Sequence, residues 1–105
     1  MSSLEATDNA AKAVQKTPNR ASLDSLKGKI KSVEYIYPNT HPTMTIAVVR
    51  VENGFSVVGK TAPADPENFN EELGRQFAYE DAVRQLWPLE AYLMLETLSK
   101  HGGTQ

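Results

Sequence analysis

Lys60, Asn68, Arg75 and Tyr79 are the residues of this 105-residue chain whose types and order could make a ligand site. Lysine and arginine neutralise an anion, an asparagine amide both donates and accepts, and a tyrosine ring stacks on a planar group while flanking a cation. With Tyr35, Tyr37 and Tyr92 they would suit a planar, anionic ligand such as a small nucleotide. Phe55, Phe69, Phe77 and Trp87 could join them, but their first reading is as core.

No comparable pattern points to a reaction. His41 and His101 stand far apart, and neither has acids or thiols at metal-ligand spacing. Serines occur without a nucleophile-elbow motif or a histidine partner. Gly28, Gly54, Gly59 and Gly74 do not compose a phosphate-cradling loop. The neighbours Glu71 and Glu72, and Glu80 and Asp81, diverge on a helix. The expectation is a protein with no catalytic residues, no metal and no cofactor, and so not an enzyme.

The formal charge of −2 is unevenly spread. Between residues 65 and 100, Asp65, Glu67, Glu71, Glu72, Glu80, Asp81, Glu90 and Glu96 outnumber Arg75, Arg84 and Lys100. Between residues 21 and 60, Lys27, Lys29, Lys31, Arg50 and Lys60 outnumber Asp24, Glu34 and Glu52. The acidic half would repel a phosphate backbone, so duplex nucleic acid is not an expected partner. The group Lys27, Lys29, Lys31 reads as a solvated helix end, where cations meet a favourable dipole. Cysteine is absent, and neither a signal-peptide core nor an apolar run of about twenty residues appears. The reading is a soluble protein of the cytoplasm, with no membrane partner.

A single α+β domain must position these residues, because the length leaves no room for a second. Residues 1–21 are polar and Ala-rich and read as a mobile tail, with at most a turn of helix at Ala10 to Lys16; residues 22–105 form the domain. Ser22 suits the cap of a short N-terminal helix with Leu23, Leu26 and Ile30 on one stripe. Val33 to Tyr37 and Met44 to Val51 are strand-like, and Asn53-Gly54 before Phe55 to Gly59 signals a hairpin in a small antiparallel sheet. A two-residue turn would pair Arg50 with Val57 and Val48 with Gly59. Both faces then carry valines, so both are expected to be covered.

Asp65 followed by Pro66 marks the start of a long C-terminal helical segment. Phe69, Leu73 and Phe77 recur every fourth residue, and Gly74, Ala78 and Ala82 form a row of small side chains. Such a row lets another backbone come close, from this chain or from another copy. Glu71 with Arg75, and Glu80 with Arg84, stand acid first at i, i+4. Pro88 cannot donate to the carbonyl of Arg84, so the helix is expected to kink or stop near Trp87, breaking the segment at Trp87-Pro88. A second helix then runs from about Leu89 to Lys100 and ends at Gly102-Gly103. Leu93, Met94 and Leu95 point about 100° apart in succession, so no flat core face takes all three. A second copy is the simplest cover, with Gly74, Ala78, Ala82, Tyr92, Leu95 and Leu98 as the expected homo-oligomer interface.

In order, NGF (Asn53 to Phe55), the hairpin-closing Gly59, PENF (Pro66 to Phe69) and ELGRQFAYEDAVRQLWPLEAYLMLE (Glu72 to Glu96) resemble a family of small phage proteins of unknown function. The family takes its name from gene products of phages N four (gp forty-nine) and Sf six (gp sixty-six). The resemblance spans about residues 30 to 98; Pro63 stands where the family often has Cys, and Ala91 where it usually has Gly. It implies a tailed-phage or prophage accessory protein acting inside the bacterial host, and it hands over no catalytic residues. Two functions stay open. One is a homo-oligomer that sequesters a small nucleotide signal of host antiviral defence, through Lys60, Asn68, Arg75 and Tyr79. The other is an adaptor or inhibitor that docks the apolar face of Leu89 to Leu98 on a host protein.

Overall fold

The computed structural model describes residues 3–101, so the expected Gly102-Gly103 helix end lies outside the described residues, as does the side chain of His101. The elements run α1 (Ser3–Ala13), α2 (Leu23–Gly28), β1 (Ile30–Ile36), β2 (Thr45–Val51), β3 (Ser56–Thr61), a 3-10 turn (Pro66–Asn68) and α3 (Glu71–His101). The α+β class read from the sequence is the one observed.

Residues 3–13, read from the sequence as part of a polar tail, are helical and docked. Leu4 is 3% exposed and joins Leu23, Leu26 and Leu86 in the core. Asp8 accepts from the main-chain N–H of Leu23 (3.1 Å) and pairs with Arg20. Leu4 and Asp8, with the Ser3 hydroxyl accepting from Arg84, anchor an otherwise polar segment, and average polarity does not reveal so local an anchor. The Ser22 hydroxyl caps α2 by accepting from the N–H of Ser25 (3.1 Å), as its type suggests. The helix stops at Gly28, so Ile30 opens β1 rather than extending the helical stripe.

The sheet is antiparallel in the order β1-β2-β3. Its hairpin register differs by one residue from that of a two-residue turn: Arg50 pairs with Ser56, Val49 with Val57, and Ala47 with Gly59. Three residues make the loop, because the N–H of Gly54 donates to the carbonyl of Val51 and the N–H of Val51 to that of Phe55, both at 2.9 Å. Gly54, at φ 93°, supplies the left-handed residue that ends such a turn. A slip of one residue exchanges which partners share a face. Val49, Val57, Ala47 and Gly59 lie buried together, while Val48 and Val58 point the other way. The expectation of two covered faces fails within one chain: α3 packs on one face, and the other leaves Ile36 and Val58 exposed.

Asp65 and Pro66 start a 3-10 turn, not the long helix; the Asp65 carboxylate accepts from the N–H of Glu67 (3.0 Å). Asn70 caps α3 instead, its Oδ1 accepting from the N–H of Leu73 (2.9 Å). The expected break is absent as well, since α3 runs as one 31-residue helix through Pro88. Pro88 lies exposed, where a carbonyl deprived of its donor can be solvated.

The small side chains let α3 lie directly on the sheet. A Cβ on Gly59 would stand 2.0 Å from the carbonyl oxygen of Ala78, and one on Gly74 would stand 2.5 Å from the hydroxyl of Thr45. α3 also satisfies the outer edge of β3: the N–H of Lys60 donates to Asp81 (3.0 Å), and Gln85 donates to the carbonyl of Val58 (2.7 Å). An edge so occupied offers less to a foreign strand. Lys29 reaches Glu90 at 2.6 Å and Trp87 Nε1 donates to the carbonyl of Ala21 at 2.6 Å, which fastens α2 to the middle of α3. Lys29 is thus an ion-pair partner and not simply a solvated helix end. At about 1.5 Å per residue α3 spans about 46 Å, roughly twice the length of a seven-residue strand, so its last turns outrun the sheet.

Candidate functional site

Arg75, in the second turn of α3, leans toward the end of β1 and the residue that follows it. Its Nε donates to the hydroxyl of Tyr37 (2.8 Å), and its Nη2 pairs with Glu71 (2.8 Å). The guanidinium carbon stands 5.6 Å from the ring centre of Tyr35 and 6.0 Å from that of Tyr37, within cation–π range. Tyr79, one turn on, is half-buried beside them. Burial pushes its phenol above the ordinary value, with Tyr35 adding to the rise. Burial likewise raises Tyr35, with Tyr37 adding and Arg75 opposing. Both phenols therefore stay protonated at neutral pH and present hydroxyl donors and apolar faces beside a fixed cation.

This arrangement can hold an anion. The Arg75 side chain is 49% exposed, and its partner Glu71 is 57% exposed at i, i+4. A pair so exposed is weak in water, so a phosphate or carboxylate can displace it. The companion pair expected between Glu80 and Arg84 does not form: Gln76 donates to Glu80, and Arg84 donates to the hydroxyl of Ser3.

The four residues read from the sequence as one ligand site fall on three surfaces. Arg75 and Tyr79 are together. Lys60 pairs with Ile46, and because its neighbour Gly59 faces α3, Lys60 belongs to the open face of the sheet. Asn68 lines a separate cleft of about 210 Å³ with Phe69, Leu73 and Phe77. Tyr35 and Tyr37 take the places that Lys60 and Asn68 were expected to fill. Their alternation in the VEYIY strand was the one available signal, since residues two apart share a face.

The expected oligomer interface also divides. Gly74, Ala78 and Ala82 are buried against Thr45 and Gly59 of the same chain, so of the two uses open to a small-residue row the intramolecular one is realised. Tyr92, Leu95 and Leu98 are 67%, 66% and 36% exposed. Near them a groove of about 490 Å³ runs between the hairpin loop, α2 and α3, walled by Leu26, Val51, Phe55, Leu86, Leu89 and Leu93. Phe55 and Phe77, read as core, are about half exposed, whereas Phe69 and Trp87 are half-buried. The groove was illegible in the sequence because three elements far apart in the chain build it.

Among the described residues no three His, Cys, Asp or Glu side chains gather as a metal site, and no helix is long and apolar enough to cross a membrane. Fold and surfaces define a small α+β protein whose conspicuous features are a tyrosine-backed cation and an uncovered apolar helix. The chain belongs to the phage protein (N4 Gp49/phage Sf6 gene 66) family, whose model matches residues 21–98. The match covers everything from the α2 cap to Leu98 and leaves out α1. No curated protein and no solved structure matches the chain.

Proposed function

We propose that this phage protein is a non-enzymatic accessory factor of the host cytoplasm that self-associates and sequesters a small nucleotide, of the kind bacteria use as antiviral signals. The observation that carries the reading is Arg75 held over Tyr35 and Tyr37: a preoriented cation with aromatic faces at its side, paired only with an exposed, displaceable carboxylate. Family membership supports an accessory role in infection. Self-association is supported by Tyr92 and Leu95, which the described residues leave two-thirds exposed, and by Leu98 beside them on the same helix. Native mass spectrometry and thermal unfolding in the presence of cyclic di- and trinucleotides test it. An oligomer with a nucleotide adduct and a raised melting temperature is expected, with both effects lost in Arg75→Ala. A monomer without adduct sinks the proposal.

The apolar groove favours a second reading, an adaptor or inhibitor of a host protein. Its walls suit an amphipathic helix that inserts two or three apolar side chains. Capture of one host protein by the wild type but not by Leu89→Lys, with no response to nucleotides, would select this reading.

A further inference from the structure

The geometry points to a second binding surface, a slot for an uncharged purine ring, in the cleft between the 3-10 turn and the first turns of α3. It extends the nucleotide reading and rests on that reading only for the class of ligand. Four observations carry it. Its volume, about 210 Å³, falls below the 300–1,000 Å³ usual for whole drug-sized ligands, so it suits a single ring system. Its walls include Phe69 and Phe77, the latter 48% exposed, and aromatic faces of this kind stack on bases of any sequence.

Asn68 supplies the third. Its main-chain N–H is used within the 3-10 turn, while its side-chain amide, on an exposed residue that lines the cleft, makes no hydrogen bond among the described residues and so keeps donor and acceptor for a ligand. An asparagine amide pairs in bidentate fashion with the N6 and N7 edge of adenine. The Asn70 Oδ1 is consumed by the N–H of Leu73, which leaves its NH2 group as a further donor. The fourth is charge. Asp65, Glu67, Glu71 and Glu72 all belong to the 3-10 turn, its cap or the first turn of α3, and all are exposed. Glu71 is paired with Arg75, but Asp65, Glu67 and Glu72 leave the turn and helix start that bound the cleft net acidic, which favours a neutral base there over a phosphate.

Amide-resolved NMR titration of the full chain with adenosine tests the slot, because adenosine carries no phosphate for Arg75 to hold. Saturable shifts at Asn68, Phe69 and Phe77 are expected in the wild type and in Arg75→Ala. Affinity should fall about tenfold in Asn68→Ala, the loss of one bidentate pair, and also fall in Phe77→Ala. Asn68 is exposed and Phe77 about half exposed, and the amide shift dispersion of each variant checks that it is folded. Absence of shifts at these residues, equal binding of uridine, or wild-type affinity in Asn68→Ala would overturn the slot. Failure here with retained, Arg75-dependent binding of phosphorylated nucleotides would leave the proposed function standing.

Discussion

The carbonyl oxygen of Ala78 occupies the space that any side chain at Gly59 would need, since a Cβ there would lie 2.0 Å from it and 2.5 Å from the main-chain nitrogen of Ala82. Both obstacles are helix backbone and cannot rotate aside. Gly59→Ala therefore has to push α3 off β3, and overpacking of that kind costs about 1–3 kcal/mol or more. A lowered urea midpoint is expected, together with increased binding of a hydrophobic dye as the buried seam between α3 and the sheet opens. An unchanged midpoint would mean that α3 does not rest on the hairpin as described.

The sequence made this contact half visible. The row Gly74, Ala78, Ala82 announced a close approach, and Gly59 announced a missing side chain, but only the register decides that they meet. Asn53-Gly54 is compatible with loops of two and three residues, and the choice depends on backbone angles that residue types do not fix. The Ser22 cap was legible because it is local; the docking of α1 was not, because a few scattered residues, Leu4, Asp8 and Ser3 among them, make it with partners distant in the chain. The Arg75 cluster was legible as a list of residue types. Which tyrosines reach the guanidinium depended on how α3 crosses β1.

Asp8 makes the docking of α1 sensitive to acid. Desolvation raises its carboxyl, but the N–H of Leu23 and the Arg20 guanidinium, with Lys12 adding, lower it further, so the net value lies below 3.8. A depressed folded-state pKa stabilises the folded state above the unfolded value, and that contribution is lost as pH falls through the folded one. Asp8→Asn keeps an acceptor for Leu23 and removes the charge. It should cost about 1.5 kcal/mol at neutral pH, the scale of a hydrogen bond to a charged group, and the difference should shrink as pH falls below the ordinary carboxylate range. Thermal unfolding of both proteins across that range checks it; parallel curves would show that Asp8 does not bear the charge-dependent contact.

Leu95 and Tyr92 are the most exposed apolar side chains on the last turns of α3. Replacing a residue 66% exposed does not disturb the core, so Leu95→Lys should unfold within about 0.5 kcal/mol of the wild type. If the uncovered helix is a self-association surface, the same change shifts the sedimentation profile to the monomer. Persistence of the oligomer would move the interface to the open sheet face of Ile36, Ile46 and Val58.

Pro88 sits inside a continuous helix and leaves the Arg84 carbonyl without its i+4 donor. Relative to alanine, proline in a helix interior is disfavoured by about 3 kcal/mol. Part of that is offset because proline also restricts the unfolded chain, by about 0.4–1 kcal/mol. Pro88→Ala should accordingly stabilise the protein by about 2 kcal/mol, raising the urea midpoint with little change in slope. The residue is exposed, so no lost packing obscures the result. A destabilised variant would show that Pro88 holds the two halves of α3 at an angle the fold requires, and that the break suggested by Trp87-Pro88 is a real bend within an unbroken helix.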